Sequence, residues 1–126
     1  MIKAVEKRPV VLVVEDDFLL RIDAVDMVKD AGFEAVEATN ADEAIRILEA
    51  RPNIHVIFTD VQMPGNMDGL KLAKFVKDRW PPIKIFATSG RAKVSAADLP
   101  EGSIFVPKPY SPAQIVNTLR ELIDPA

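Results

Sequence analysis

Acidic, hydroxyl and basic side chains follow four short apolar runs of this 126-residue sequence. They are Glu15, Asp16 and Asp17 after the run 10–14, Asp60 after the run 54–59, Thr88 and Ser89 after the run 83–87, and Lys108 after the run 103–106. Neighbouring carboxylates bind divalent cations, and an aspartate can also act as a nucleophile. Hydroxyl and ammonium groups donate hydrogen bonds to anions. If the fold gathers these residues, they form a site at which a cation and an anionic group meet.

The elements that would gather them are indicated by hydrophobic periodicity. Five short apolar runs predict buried strands over residues 10–14, 33–38, 54–59, 83–87 and 103–106. The segments between them have helical spacing, and the segment 92–99 is predicted to be short and weakly helical. This alternation favours a parallel α/β sheet with helices on both faces. Because ligands bind at the carboxyl ends of such strands, all four positions are predicted to share one edge.

Composition limits the class of protein. The chain has 16 Lys and Arg, 19 Asp and Glu, no Cys and a formal net charge of -3, which suits one globular domain. The lack of Cys excludes disulfide scaffolds, zinc-thiolate sites and thiol catalysis. Mild acidity argues against nucleic-acid binding. The apolar run Val10–Val14 is too short for a membrane span, so we expect a cytoplasmic domain.

Four motifs occur in a fixed order along the chain. They are Val13-Val14-Glu15-Asp16-Asp17, Asp60-Val61-Gln62-Met63-Pro64 with Met67-Asp68-Gly69, Thr88-Ser89, and Lys108-Pro109-Tyr110. Together they resemble the receiver domain of two-component response regulators, over about residues 9–123. The resemblance implies a flavodoxin-like fold with five parallel strands in the order 2-1-3-4-5. It also implies a stand-alone receiver over residues 1–126, without an effector domain.

The resemblance also implies a role for each site residue. Asp60 is the expected phosphoacceptor, Glu15, Asp16, Asp60 and the backbone carbonyl of Gln62 the Mg²⁺ ligands, Thr88 and Phe105 the switch residues, and Lys108 the cation that pairs with the phosphoryl group. The Lys108-Pro109 peptide bond is expected to be cis. The implied partners are a histidine kinase or histidine phosphotransferase and an unidentified downstream protein, and the family pattern also admits a homodimer.

The first predicted helix carries two apolar stripes. The core stripe consists of Leu20, Ala24, Met27, Val28 and Ala31. A second stripe of Phe18, Ile22 and Val25 either packs against the last helix or forms a docking surface for a histidine-bearing helical partner. The sequence leaves both interpretations open.

Two further polar residues have structural interpretations. Asp17 is predicted to cap the first helix rather than to bind metal. His55 lies five residues before Asp60, which places it toward the opposite end of the strand. The expected phosphoryl donor is therefore on another protein.

The sequence departs from the family pattern at two places. The loop Pro64–Met67 is one residue longer than in most relatives, and the segment between Thr88 and Lys108 is short. A shortened fourth helix is therefore predicted, which puts the usual output surface in doubt.

Three other functions are less consistent with the residues. A phosphatase of this type needs a second acid two residues after its nucleophile, where this chain has Gln62. A flavodoxin-type cofactor carrier needs a Gly- or Ser/Thr-rich phosphate loop after strand one, where Glu15-Asp16-Asp17 would repel phosphate. A receiver that acts only by binding is disfavoured because every expected site residue is present.

Overall fold

A computed structural model of the chain describes residues 8–62, 68–90 and 95–123. The strands are β1 (Val10–Val14), β2 (Glu34–Ala38), β3 (Ile54–Asp60), β4 (Lys84–Ser89) and β5 (Ile104–Pro107). The helices are α1 (Phe18–Asp30), α2 (Ala41–Ala50), α3 (Gly69–Arg79) and α4 (Pro112–Ile123). All strand pairs are parallel, and the order β2-β1-β3-β4-β5 confirms the predicted topology.

Burial explains why β1 and β3 stand at the centre of the sheet. All five residues of β1 are buried, and six of the seven residues of β3 are buried. Such strands need apolar cover on both faces, and two separate core clusters supply it. Side chains of α2 and α3 contribute to one cluster, and side chains of α1 and α4 contribute to the other.

The helix starts are fixed by side-chain caps close to the carboxyl ends of the strands. The Asp17 carboxylate accepts a hydrogen bond from the Leu20 N–H at 3.0 Å, which confirms its predicted capping role. Asp68 accepts from the Lys71 N–H at 2.9 Å and begins α3 in the same way. Asn40 caps α2, with 2.8 Å from the Glu43 N–H to its side-chain oxygen.

Strands β3 and β4 run further than their apolar residues indicated. Asp60 is the last residue of β3 and pairs with Thr88, while Thr88 pairs in turn with Val106 of β5. Ladder pairing therefore continues through the polar residues, because backbone hydrogen bonds do not depend on side-chain polarity. Asp60 and Thr88 therefore stand on strand ends, whereas Glu15 and Lys108 come directly after β1 and β5.

The two stripes assigned to α1 need correction. Leu20, predicted to be buried, is 37% exposed because it lines an open groove between α1 and residues 108–112. Val25, predicted in the second stripe, is only 8% exposed and belongs to the core cluster to which α4 contributes. Val25 is therefore packed, and the docking interpretation is wrong for this residue.

The connection between β4 and β5 contains little helix in its described part. A single 3₁₀ turn, Ala96–Asp98, stands after Ser95, and Leu99 is buried behind it. The rest of the predicted weak helix, residues 92–94, lies outside the described residues, as do residues 63–67 of the long loop.

His55 lies near the start of β3, away from the edge that carries Asp60. Its Nδ1 atom accepts a hydrogen bond from the Val10 N–H at 3.1 Å, a contact that joins β3 to β1. The contact agrees with the structural role predicted for His55. Among the described residues, no helix has the length and apolar character needed to cross a lipid bilayer.

Candidate functional site

Asp60 lies at the carboxyl end of the central strand β3 with 7% of its surface exposed. One carboxylate oxygen accepts a hydrogen bond from the Gln62 N–H at 2.9 Å. The other oxygen accepts from the Lys108 ammonium at 2.7 Å. With both oxygens engaged, the carboxylate is held in one orientation.

Gly69 allows the backbone of Asp60 to lie directly against the start of α3. A Cβ atom at position 69 would overlap the Asp60 carbonyl oxygen and would come within 2.6 Å of the Val61 Cα. The Gly69 N–H also donates to the Val61 carbonyl at 2.8 Å. The sequence showed this glycine as part of a motif but did not reveal its steric role, which depends on how closely the start of α3 approaches the end of β3.

Lys108 follows β5 and joins the two buried acids of the site. Its ammonium contacts Asp60 at 2.7 Å and Glu15 at 3.4 Å. Burial opposes its charge, but the hydrogen bond and charge of Asp60 outweigh that effect and raise the pKa of Lys108 above its ordinary value. The Lys108-Pro109 peptide bond is cis, as the sequence comparison with the family implied. Lys108 is therefore a permanent cation beside the Asp60 carboxylate.

Glu15 is the first acid after β1 and retains only 6% exposure. Burial, together with the nearby negative charge of Asp60, raises the pKa of Glu15 to about 7. Hydrogen bonding from the Asp17 N–H at 3.2 Å and the charge of Lys108 act in the opposite direction. Two like charges about 5 Å apart repel by roughly 3 kcal/mol at an effective dielectric of 20, so a further cation here would be stabilising.

Thr88 lies beside Asp60 in the sheet, because the two residues are register partners of β4 and β3. Its side-chain oxygen is buried and has no hydrogen-bond partner among the described residues. A buried hydroxyl without a partner costs free energy, so such groups are rare without a functional reason. An anion bound to Asp60 would offer this hydroxyl an acceptor.

The remaining predicted residues are brought near the site to different degrees. Asp16 is exposed at the β1–α1 turn beside Glu15, and Gln62 binds Asp60 through its N–H. Phe105 is half-buried and pairs with Ala87, one position before Thr88 on β4.

The exposed apolar residues of α1 are Phe18 at 62%, Leu19 at 71%, Leu20 at 37% and Ile22 at 39%. Sequence periodicity missed Leu19, since it belongs to neither predicted stripe.

The oxygen donors of the site suit a magnesium ion. Among the described residues, no three acids or histidines are already grouped as a metal cage. Magnesium does not need one, because it retains several waters and binds through one or two carboxylates and a phosphate. Burial first, and then the charge of Asp60, raise the pKa of Glu15 and so disfavour its ionised form in the metal-free site. Glu15, Asp16, Asp60 and the Gln62 carbonyl are the residues that would hold such an ion.

Comparison with known proteins agrees with this geometry. The chain is 33% identical over 118 residues to the sensor kinase CckA of Brucella abortus, covering 90% of this chain and 12% of that protein. It spans between 12% and 25% of the length of the curated relatives it matches.

Solved structures show the same fold. A response regulator receiver protein from Pseudomonas putida superposes with a TM-score of 0.79 at 29% identity, covering 97% of this chain and all of that one. A receiver domain protein from Clostridium thermocellum superposes with a TM-score of 0.85 at 20% identity, covering 93% and 95% of the two chains. Residues 11–120 match the family described as the response regulator receiver domain. The chain therefore belongs to the response regulator receiver domain family.

Proposed function

We propose that this chain receives a phosphoryl group on Asp60 from a histidine kinase or histidine phosphotransferase, with Mg²⁺, and signals by phosphorylation-dependent protein contact. The observation that carries the proposal is the arrangement around Asp60. Its carboxylate is fixed by the Gln62 N–H and the Lys108 ammonium, and the neighbouring strand carries the Thr88 hydroxyl, for which the described part of the chain offers no hydrogen-bond partner. Family membership supports the reaction class, and the resemblance to other response regulators supports a cytoplasmic location.

The chemistry follows from these contacts. An oxygen of Asp60 forms the new bond to phosphorus while the bond between phosphorus and the donor nitrogen breaks. Phosphoryl transfer needs positioning and charge neutralisation more than covalent help, and Lys108 supplies a fixed cation for the transferred oxygens. Thr88 would donate its hydroxyl to one of those oxygens once the acyl phosphate has formed. Mg²⁺, if held by Glu15, Asp16, Asp60 and the Gln62 carbonyl, would supply further positive charge for the reaction.

Incubation with Mg²⁺ and acetyl phosphate tests the proposed reaction without knowledge of the natural donor. We expect the intact mass of the wild-type chain to increase by one phosphoryl group, and the mass of Asp60→Asn to stay unchanged. If the wild-type chain gains no mass, a receiver that acts only by binding becomes the better explanation. An equal gain in both proteins would place the acceptor elsewhere.

We further propose that the donor docks on the exposed first turns of α1. Phe18, Leu19 and Ile22 are exposed apolar residues on the helix that follows the acidic turn. Exposed apolar clusters of this kind are typical of protein contacts. The relative named as a sensor kinase gives a histidine donor as the class of partner to test.

Phe18→Ala should slow phosphotransfer from a histidine donor by about 10-fold, in line with loss of an aromatic contact residue. The rate with acetyl phosphate should not change, because this small donor does not use the helix. Val25→Ala, at a buried position of the same helix, serves as the control for effects on folding. If Phe18→Ala transfers at the wild-type rate while remaining folded, this docking surface is wrong.

A further inference from the structure

Arg21 is a largely buried cation of α1 that no role described above uses. Its side chain is 12% exposed. The Nη1 atom donates to the backbone carbonyl of Glu15 at 3.0 Å, and Nε donates to a carboxylate oxygen of Glu37 at 3.1 Å. One guanidinium thus joins the turn after β1 to the end of β2.

The carbonyl that Arg21 contacts belongs to the peptide unit between Glu15 and Asp16. Its orientation influences where the following residue, the exposed Asp16, directs its carboxylate. The preceding peptide is held separately, since the Glu15 N–H donates to the Ala38 carbonyl at 3.1 Å. Arg21 therefore holds the second half of the acidic turn, together with the hydrogen bond from the Asp17 N–H to the Glu15 carboxylate.

We propose that Arg21 is a positioning residue that orients Glu15 and Asp16 for divalent-cation binding. The proposal rests on the Mg²⁺ role assigned to these acids under the proposed function. An arginine suits the task because two separate N–H groups of its planar fork reach the carbonyl and the Glu37 carboxylate together. A lysine has a single ammonium at the end of a flexible stem and cannot reproduce this pair of directions.

Because Arg21 is positively charged, a positioning role can be distinguished from a purely electrostatic effect on Mg²⁺ binding. If Arg21 acted only through its positive charge, its removal would make the acidic site more attractive to Mg²⁺ and would tighten binding. If Arg21 positions the turn, its removal weakens binding despite the loss of a repelling cation. The sign of the affinity change therefore separates the two effects.

Calorimetric titration of the metal-free proteins with Mg²⁺ tests this inference. Loss of a partner that orients metal ligands typically costs 10- to 100-fold in affinity, and we expect Arg21→Met to weaken Mg²⁺ binding by about 10-fold. Arg21→Lys keeps the charge and should also bind more weakly than the wild type. Both variants should regain the wild-type rate of acetyl phosphate reaction when Mg²⁺ is raised to saturation.

Arg51→Met is a matched control, because Arg51 forms an ion pair at the end of β2 opposite to the end that Arg21 contacts. Arg51 donates to Glu34, the first residue of β2, at 2.8 Å and lies away from the acidic turn. We expect this variant to bind Mg²⁺ like the wild type. Urea unfolding of all the metal-free variants shows how much stability each loses, and Arg21→Lys provides a second folded test if Arg21→Met does not fold.

Unchanged or tighter Mg²⁺ binding by Arg21→Met, or wild-type affinity in Arg21→Lys, would overturn the positioning role. These results are separate from failure of the proposed function. If the proposed function itself is wrong, the wild-type chain will show neither Mg²⁺ binding nor a phosphoryl mass gain.

Discussion

At the residue scale, the site contains two buried carboxylates served by one ammonium. Lys108 contacts both Asp60 and Glu15, but its charge balances only one of them. The imbalance appears at Glu15, whose pKa is raised to about 7 by burial and by the charge of Asp60. The apolar and acidic residue types predicted a site here, but this division of charge depends on distances that only the fold sets.

Glu15 makes the stability of the metal-free protein depend on pH. The folded chain keeps this proton up to about pH 7, whereas an unfolded glutamate releases it near 4.5. The unfolded state therefore binds fewer protons in this interval, and the stabilisation from Glu15 is lost as pH rises from 4.5 through 7. Urea unfolding in EDTA at several pH values measures the effect.

Glu15→Gln removes this titration and is the reference for all other groups. The free energy of unfolding of the wild type should fall relative to that of Glu15→Gln as pH rises through about 7. Parallel pH curves for the two proteins would show that the Glu15 pKa is not raised.

At the element scale, the residue pattern predicted the strands and the Asp17 cap of α1 better than it predicted the faces of α1. The caps are local, so Asp17 and the residues that follow it suffice to define the helix start. The buried face of α1 is set by α4, a helix far along the chain. Periodicity therefore assigned Leu20 to the core, although it is 37% exposed, and left open whether Val25 packs or docks, which its burial decides in favour of packing.

The close contact between β3 and α3 gives a prediction at position 69. Gly69→Ala would place a methyl group against the Asp60 carbonyl, and overpacking of this kind costs about 1 to 3 kcal/mol. Because the strain falls on the backbone of Asp60, the proposed phosphoacceptor, the rate of acetyl phosphate reaction should fall as well. Urea unfolding and the initial rate of mass gain measure the two effects.

Gly90→Ala is the control for the loss of a glycine at the same edge of the sheet. Gly90 follows β4, and a Cβ atom there meets nothing within 4 Å. This variant should keep wild-type stability to within about 0.5 kcal/mol. Equal stability of Gly69→Ala and Gly90→Ala would contradict the steric account of position 69.

At the scale of the whole molecule, the parallel sheet brings residues far apart in sequence to one edge. The strand order confirmed the order that the resemblance to receiver domains implied, whereas the alternation of strands and helices had predicted only that the sheet is parallel. The role of Arg21 could not be predicted in this way, since its bonds to Glu15 and Glu37 depend on how α1 lies across two strands. The formal net charge of the chain is only -3, but part of the negative charge is concentrated at the edge of the sheet that carries Asp60.

Magnesium should stabilise the whole chain by relieving that local charge. At a free Mg²⁺ concentration ten times the dissociation constant, binding adds about 1.4 kcal/mol to the free energy of unfolding, which raises the melting temperature by several degrees. Asp16→Asn should lose most of this gain, and Asp42→Asn, at an exposed position of α2, should keep it. A melting curve of the wild type that does not respond to Mg²⁺ would contradict the site.

The central claim is that Asp60 itself carries the phosphoryl group. Borohydride reduces an aspartyl phosphate to homoserine, so peptide mapping after reaction with acetyl phosphate and reduction locates the acceptor. We predict that homoserine forms at position 60 when Mg²⁺ is present and that its yield falls sharply when EDTA is added. Homoserine at another acid, or none at position 60 in a folded chain with Mg²⁺ present, would contradict the account.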